Sequence, residues 1–230
     1  IVEREKEIRA FVPKTYYQIV LQAKGVRFQL EENGQAKRFF EEAKAKELLN
    51  QLSSGTVKVA NVESVRKKEV PPLLYDLTEL QRDASRLYGM SPKETLDVMQ
   101  RLYEYHKVLT YPRTDSRYLT TDIYGSLRSR FLPLQNGPYG KVVKELLGKP
   151  FRQSKRVFNN EEVSDHHAII PTETVPKLYD FSPKEEKIYN LVCKRFISVF
   201  MDDVEFMQTT VTLSSGKHSF LARGKTIIQM

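Results

Sequence analysis

Cysteine is nearly absent from the 230-residue chain. The single one, Cys193 in "IYNLVCKRF", has no partner for an internal disulfide and is expected to pack as a small apolar group. Long hydrophobic runs are missing too: no stretch approaches the roughly 20 apolar residues that a bilayer-spanning helix needs, so no membrane partner is expected. The first residues, "IVEREKEIRAFVPK", lack the apolar centre of a signal peptide. Nothing points to export, and a cytoplasmic location is expected. Histidine is scarce at four residues, and no Cys or further His lies at ligand spacing from the adjacent pair His166 and His167, which speaks against a zinc site. A starting methionine is also missing. The chain opens on Ile1 and closes on "GKTIIQM" inside an alternating apolar segment, and so reads as a piece of a longer protein.

What is present is basic charge. Thirty-seven Lys and Arg stand against 29 Asp and Glu, a formal net charge of +8, which favours a polyanionic partner. A hydrophobic content of 40% over this length is enough for one or two domain cores.

Patterning separates β-rich ends from a helical middle. Alternation in "YYQIVLQA" and "VRFQL", with Gly25 between, predicts a hairpin over 16–30. "AKRFFEEAKAKELLNQLSSG" has helical spacing through Phe39, Phe40, Ala43 and Leu48, with Gly55 as the stop, and "TVKVANVESV" returns to strand chemistry before Pro71 and Pro72. Helices follow. Asp76 and Glu79 form a capping box with Gly89 as the stop, and "SPKE" opens a helix at Ser91 and again at Ser182. After Asp202 alternation resumes through "VEFMQTTVTLSSGKHSFLARGKTIIQ", turning at "SSGK". The expected architecture is α+β multidomain: a discontinuous β-rich domain, residues 1–71 and 203–230, interrupted by a mainly α-helical domain, residues 72–202.

Two constellations carry chemistry. In "KVLTYPRTDSRYLTT", Pro112 disfavours helix at Tyr111 and sets the tyrosine on a turn beyond a helix end. A phenol is a poor nucleophile at neutral pH because its pKa is about 10. A cation two positions on, Arg113, would favour phenolate and grip a phosphate with its planar fork. Asp115 would hold that arginine or accept a proton, while Thr114 and Ser116 offer hydroxyls to a phosphate or to the turn itself. The same letters also suit an ordinary exposed turn with an Asp-type cap. In "VSDHHAIIPTE", the adjacent pair His166 and His167 precedes a short apolar run. This is either a capped loop entering a buried strand or an imidazole brought to the phosphate or the tyrosine.

The ordered set "PPLLYDLTELQRDASRLYGMSPKETLDVMQRLYE", "LTYPRTDSRYL" and "HHAIIPTE" resembles the type IA DNA topoisomerases, and "HHAIIPT" is most similar to the bacterial topoisomerase III branch. The resemblance implies a tyrosine that attacks single-stranded DNA to leave a 5′-phosphotyrosyl bond, passes a strand through the gap and reseals it. On this sequence Tyr111 matches the nucleophile, Arg113 the phosphate-binding arginine, and His166 the histidine near the scissile phosphate; these three are the expected catalytic residues. Arg113, Asp115, Ser116, Arg117, His166 and His167 are the expected DNA contacts, with Arg128, Arg130, Lys141, Lys144, Arg152, Lys155 and Arg156 following the backbone.

It further implies Mg²⁺ held by a Toprim domain outside this chain. No DxD-type cluster in a βα setting occurs here, "MDDVE" coming nearest, so no metal ligand is expected in the chain itself. The partners implied are single-stranded DNA and the remaining domains of the same polypeptide, in a bacterial, nucleoid-associated setting. The β-rich part would be the arch and hinge of the gate, and the isolated piece is expected to be inactive. The competing reading is a non-catalytic single-stranded DNA-binding module with helix-turn-helix-like helices, in which Tyr111 would stack or pack.

Overall fold

The structure, a computed structural model, describes residues 1–229. Two compact units form, one from residues 1–69 with the segment from Val204, the other from Val70–Asp203.

The first unit holds α1 (Val2–Ala10), β1 (Val20–Ala23), β2 (Val26–Glu32), β3 (Gln35–Ala36), α2 (Glu42–Ser53), β4 (Lys58–Glu69), β5 (Val204–Ser215) and β6 (His218–Gln229). Its sheet is antiparallel throughout, in the order β1-β2-β6-β5-β4, with β3 paired to β2. The hairpin turn falls at Lys24-Gly25, both at positive φ, as a two-residue turn matching strand twist requires. Asn33-Gly34 makes a second turn of the same kind, which the strand pattern of "VRFQL" does not foretell.

Leu30, Phe28, Ile19, Leu213 and Phe220 form the core of this unit, and α2 lays Leu48 and Leu52 against it. The helix begins at Glu42, later than its spacing predicts. Phe39 is drawn instead into a backbone bridge with Tyr17, with N–H···O distances of 2.7 and 2.9 Å, and Phe40 is left exposed. Helix α1 has no buried residue and is laced by Arg4–Glu7 and Arg9–Glu5 pairs, so no apolar stripe announces it. Strand β4 is exposed along its whole length at the sheet edge.

The second unit contains α3 (Leu77–Tyr88), α4 (Pro92–Glu104), α5 (Leu127–Phe131), α6 (Gly140–Leu147) and α7 (Pro183–Ser198), joined by short 3₁₀ turns. Both "SPKE" stretches close full capping boxes at the starts of α4 and α7. The box before α3 is only half made: Asp76 accepts the Glu79 N–H at 2.7 Å, while the Glu79 carboxylate turns to Arg82. Phe131 stacks on Phe196 at 4.6 Å in a core that also takes Leu80, Met99, Leu102 and Val192. Cys193 is fully buried there, and burial pushes its thiol up to about 12. It packs as an apolar group.

Two polar networks tie this unit together. Arg195 of α7 donates to Leu73 O at 2.8 Å, to the Tyr75 hydroxyl at 3.0 Å and to Asp83 at 2.9 Å, with its guanidinium 4.0 Å over the Tyr75 ring. Burial and the Asp83 contact push the Tyr75 hydroxyl up, so it stays protonated and donates to Asp83 at 2.5 Å. The segment that leads into α3 is thereby pinned.

Glu185 of α7 is the other centre. It lies fully inside, accepts Arg101 of α4 at 2.6 Å and the Ser182 N–H at 2.7 Å, and has the His106 ring 3.4 Å away. Burial opposes its charge, but the Ser182 backbone and Arg101 outweigh it and hold the carboxyl down at about 2. A depressed carboxylate gives stability that is complete above its unfolded pKa, near 4.5, and that fades as pH falls toward 2. The size is about 3 kcal/mol. Urea midpoints measured between pH 6 and pH 2.5 should fall, and Glu185→Gln should flatten that part of the curve.

Candidate active site

The segment 107–121 leaves α4 through Lys107, whose φ of 57° is left-handed, a conformation that costs a non-glycine residue about 1–2 kcal/mol. Thr172 Oγ1 donates to Lys107 O at 2.6 Å and the Val108 N–H reaches Leu102 O at 3.0 Å. Neighbours hold the turn in place.

From there the two chemical motifs are stitched edge to edge. Thr110 N–H donates to Ile170 O at 3.0 Å, and Thr110 Oγ1 accepts the Ile170 N–H at 2.9 Å. Thr172 N–H reaches Val108 O at 3.0 Å, Ala168 N–H reaches Tyr118 O at 2.9 Å, and Thr114 Oγ1 donates to His166 O at 2.7 Å. On the far side, Ile169 N–H donates to Tyr75 O at 2.8 Å, and Leu77 N–H donates to Thr114 O at 3.1 Å. Ala168, Ile169 and Ile170 are buried. The apolar run of "HHAIIPT" is therefore the fixed strap on which the tyrosine loop hangs.

Tyr111 sits half-buried on that strap, its ring 4.4 Å from the His166 ring and 5.4 Å, edge to face, from Tyr103. Among the described residues its hydroxyl makes no hydrogen bond. Arg113 is exposed and has no ion pair or hydrogen bond among the described residues. Asp115, also exposed, takes a 3.5 Å contact from Ser164 Oγ and does not hold Arg113. The Tyr111 phenol and the exposed His166 imidazole thus lie side by side, and Arg113, two positions along the chain, is an exposed and unpaired guanidinium. Guanidinium and imidazole are groups that can bind an anion, and a phenol oxygen can act as a nucleophile.

Other expected contacts are placed differently. Ser116 is 4% exposed, with Oγ 2.7 Å from Glu162 O; its hydroxyl is committed inside the loop and is not offered to a phosphate. His167 is half-buried, its Nδ1–H donating to Ala168 O at 2.7 Å, and burial holds its pKa below the ordinary value. Burial thus disfavours its charged form, and Nδ1 is committed to the backbone.

Arg117 spends Nε on Leu74 O. Arg128 donates to Leu147 O, Arg152 pairs with Asp202, and Arg156 donates to Pro71 O. Lys141, Lys144 and Lys155 are exposed and unpaired among the described residues. Arg130 departs most from the expected surface track. Its side chain is 11% exposed, its nitrogens go to Ser126 Oγ, Pro171 O and Glu173, and burial lowers its pKa.

It lines an open cleft of about 440 Å³ with Tyr103, Glu104, Lys107, Thr110, Tyr111 and Glu173. Nothing in the spacing of the sequence announces that cleft, because its wall comes from α4, α5 and two loops. Thr114→Val removes the bond to His166 O and the acceptor for Ser116 N–H and should destabilise the protein by about 1–3 kcal/mol in urea unfolding. Thr114→Ser should restore most of it.

No three His, Cys, Asp or Glu side chains converge as metal ligands among the described residues.

A family model described as DNA topoisomerase matches residues 1–230. The chain belongs to that family, the type IA DNA topoisomerases. Among related topoisomerases, DNA topoisomerase 3 of Bacillus cereus (strain ATCC 14579) is 43% identical over 229 residues, covering 99% of this chain and 31% of the relative. DNA topoisomerase 3 of Staphylococcus aureus (strain MRSA252) is 41% identical over 220 residues, 96% of this chain and 30% of the relative. Among solved structures, full-length topoisomerase I from Thermotoga maritima superposes with a TM-score of 0.68 at 25% identity, covering 99% of this chain and 36% of that one. The topoisomerase III resemblance of "HHAIIPT" agrees with the names of these relatives. The chain spans about a third of their length. Among the described residues no helix is long and apolar enough to cross a membrane.

Proposed function

We propose that this chain is the gate portion of a topoisomerase III-like enzyme, residues 72–202 carrying the nucleophile and residues 1–71 with 203–230 forming the arch. Tyr111 attacks a phosphodiester of single-stranded DNA. Its Oη forms a bond to phosphorus as the bond to the 3′ oxygen breaks, the phenolic proton leaves, and the 3′ oxygen takes up a proton. The energy of the broken bond is kept in the phosphotyrosyl ester, so the reverse step reseals the strand without ATP.

The observation that carries this reading is the exposed His166 ring 4.4 Å from the ring of Tyr111, whose hydroxyl is unpaired among the described residues, with the exposed Arg113 two positions along the chain. Arg113 offsets charge on the non-bridging oxygens, and His166 donates a hydrogen bond at the same phosphate. Asp115 and Arg117 flank the strand, and Lys141, Lys144 and Lys155 follow its backbone with salt-dependent affinity. Mg²⁺ belongs to ligands elsewhere in the polypeptide, and the working location is the bacterial cytoplasm, on the nucleoid.

The polarity of the break tests the reading. With the full-length protein that carries this sequence, Mg²⁺ and an SDS quench, a 3′-end-labelled single strand should yield a labelled protein adduct and a 5′-end-labelled one should not. The opposite labelling, or salt-sensitive binding with no adduct from either strand, would remove the proposal in favour of a binding module.

A further inference from the structure

The cleft beside Tyr111 is a second feature of the site, separate from the phosphate clamp. Tyr103, Glu104, Lys107, Tyr111, Arg130 and Glu173 line it, whereas neither Arg113 nor His166 does. Its volume, about 440 Å³, lies in the range that holds small ligands. Three of its groups are available. Tyr103 is 37% exposed and keeps only an edge contact with Tyr111. The Glu104 carboxylate and the Lys107 ammonium are exposed and unpaired among the described residues. The other groups are fixed: Arg130 and Glu173 hold each other at 3.2 Å, and Arg130 is anchored to Pro171 O. An aromatic face with a free acceptor and a free donor at its rim has the chemistry that receives a nucleobase.

We infer that this cleft seats the base of the nucleotide on the 3′ side of the break, stacked on Tyr103 and read at its edge by Glu104 and Lys107. This rests on the proposal that Tyr111 is the nucleophile. In a 5′-phosphotyrosyl adduct the nucleotide whose phosphate is bonded to Tyr111 is that one, so its base lies within reach of a cleft that Tyr111 itself walls. Glu104 accepts from an exocyclic amine and Lys107 donates to a ring or carbonyl acceptor. The pair favours bases that present both, cytosine, guanine and adenine, over thymine, which has no exocyclic amine. The left-handed turn at Lys107 sets this edge against the tyrosine loop.

The test is a cleavage-site profile. Full-length protein with Mg²⁺ is quenched in SDS on a single-stranded library randomised around one break site, and the trapped ends are sequenced. The wild type should show bias against thymine at the first position 3′ of the break. Glu104→Gln and Lys107→Met, both at exposed side chains, should erase or invert that bias and leave other positions unchanged. Tyr103→Ala should lower adduct yield by roughly tenfold or more, and Tyr103→Phe should retain it. Profiles identical to wild type in Glu104→Gln and Lys107→Met, with the Tyr111 adduct intact, would overturn the base pocket alone. A wild type that gives no adduct would overturn the nucleophile reading and the pocket with it.

Discussion

Replacing Tyr111 by Phe in the full-length protein should abolish the covalent adduct, lowering cleavage by at least about 10⁴-fold, while leaving the fold untouched. The second half of that expectation comes from the contacts. The Tyr111 hydroxyl makes no hydrogen bond among the described residues, and both ring contacts, to His166 at 4.4 Å and to Tyr103 at 5.4 Å, survive in a phenylalanine. Unfolding should shift by no more than about 0.5 kcal/mol. Affinity for single-stranded DNA should persist as well. A binding module in which Tyr111 merely stacks would behave differently, because phenylalanine stacks equally well and no chemistry would exist to lose.

Arg113→Ala should have the next largest effect. The guanidinium has no protein partner among the described residues, so no ion pair is broken and no buried charge is orphaned. Stability should hold within about 0.5 kcal/mol. Cleavage should fall by about 10²–10³-fold, the usual loss when one donor aimed at a developing oxyanion is removed. Arg113→Lys should recover only part of the rate, since a point charge replaces a planar fork. Rates of adduct formation at saturating DNA, set beside binding constants, separate a loss of chemistry from a loss of affinity. A drop in affinity alone, with the rate at saturating DNA unchanged, would make Arg113 a simple backbone contact.

Local signals in the sequence carried over well. Ser91 and Ser182 cap their helices because a capping box is decided within four residues, and the Gly89 stop needs only its own left-handed backbone. Charge-only segments did not. Helix α1 shows no apolar stripe, and its Arg–Glu pairs are invisible to hydrophobic periodicity. Phe39 and Phe40 read as one helical face until the Tyr17 bridge, a pairing across more than twenty residues, claimed Phe39.

The site divides the same way. The clustered residue types drew attention to the two segments, but it was the resemblance of "LTYPRTDSRYL" and "HHAIIPTE" to the type IA topoisomerases that singled out Tyr111, Arg113 and His166. Ser116 and Arg130 have the same chemistry on paper, yet burial turns one into a strut for Glu162 O and the other into an anchor for Pro171 O. Tyr103 gave no signal, since a tyrosine near a helix end is ordinary and only the tertiary fold brings it to Tyr111.

The most direct test of the central assignment is to locate the bond. Full-length protein is incubated with single-stranded DNA and Mg²⁺, trapped in SDS and digested with nuclease and trypsin, and the peptides are read by mass spectrometry. A nucleotide remnant on Tyr111, within the tryptic peptide "VLTYPR" of residues 108–113, is the predicted result. A remnant on any other residue, or cleaved DNA with that peptide unmodified, would contradict it.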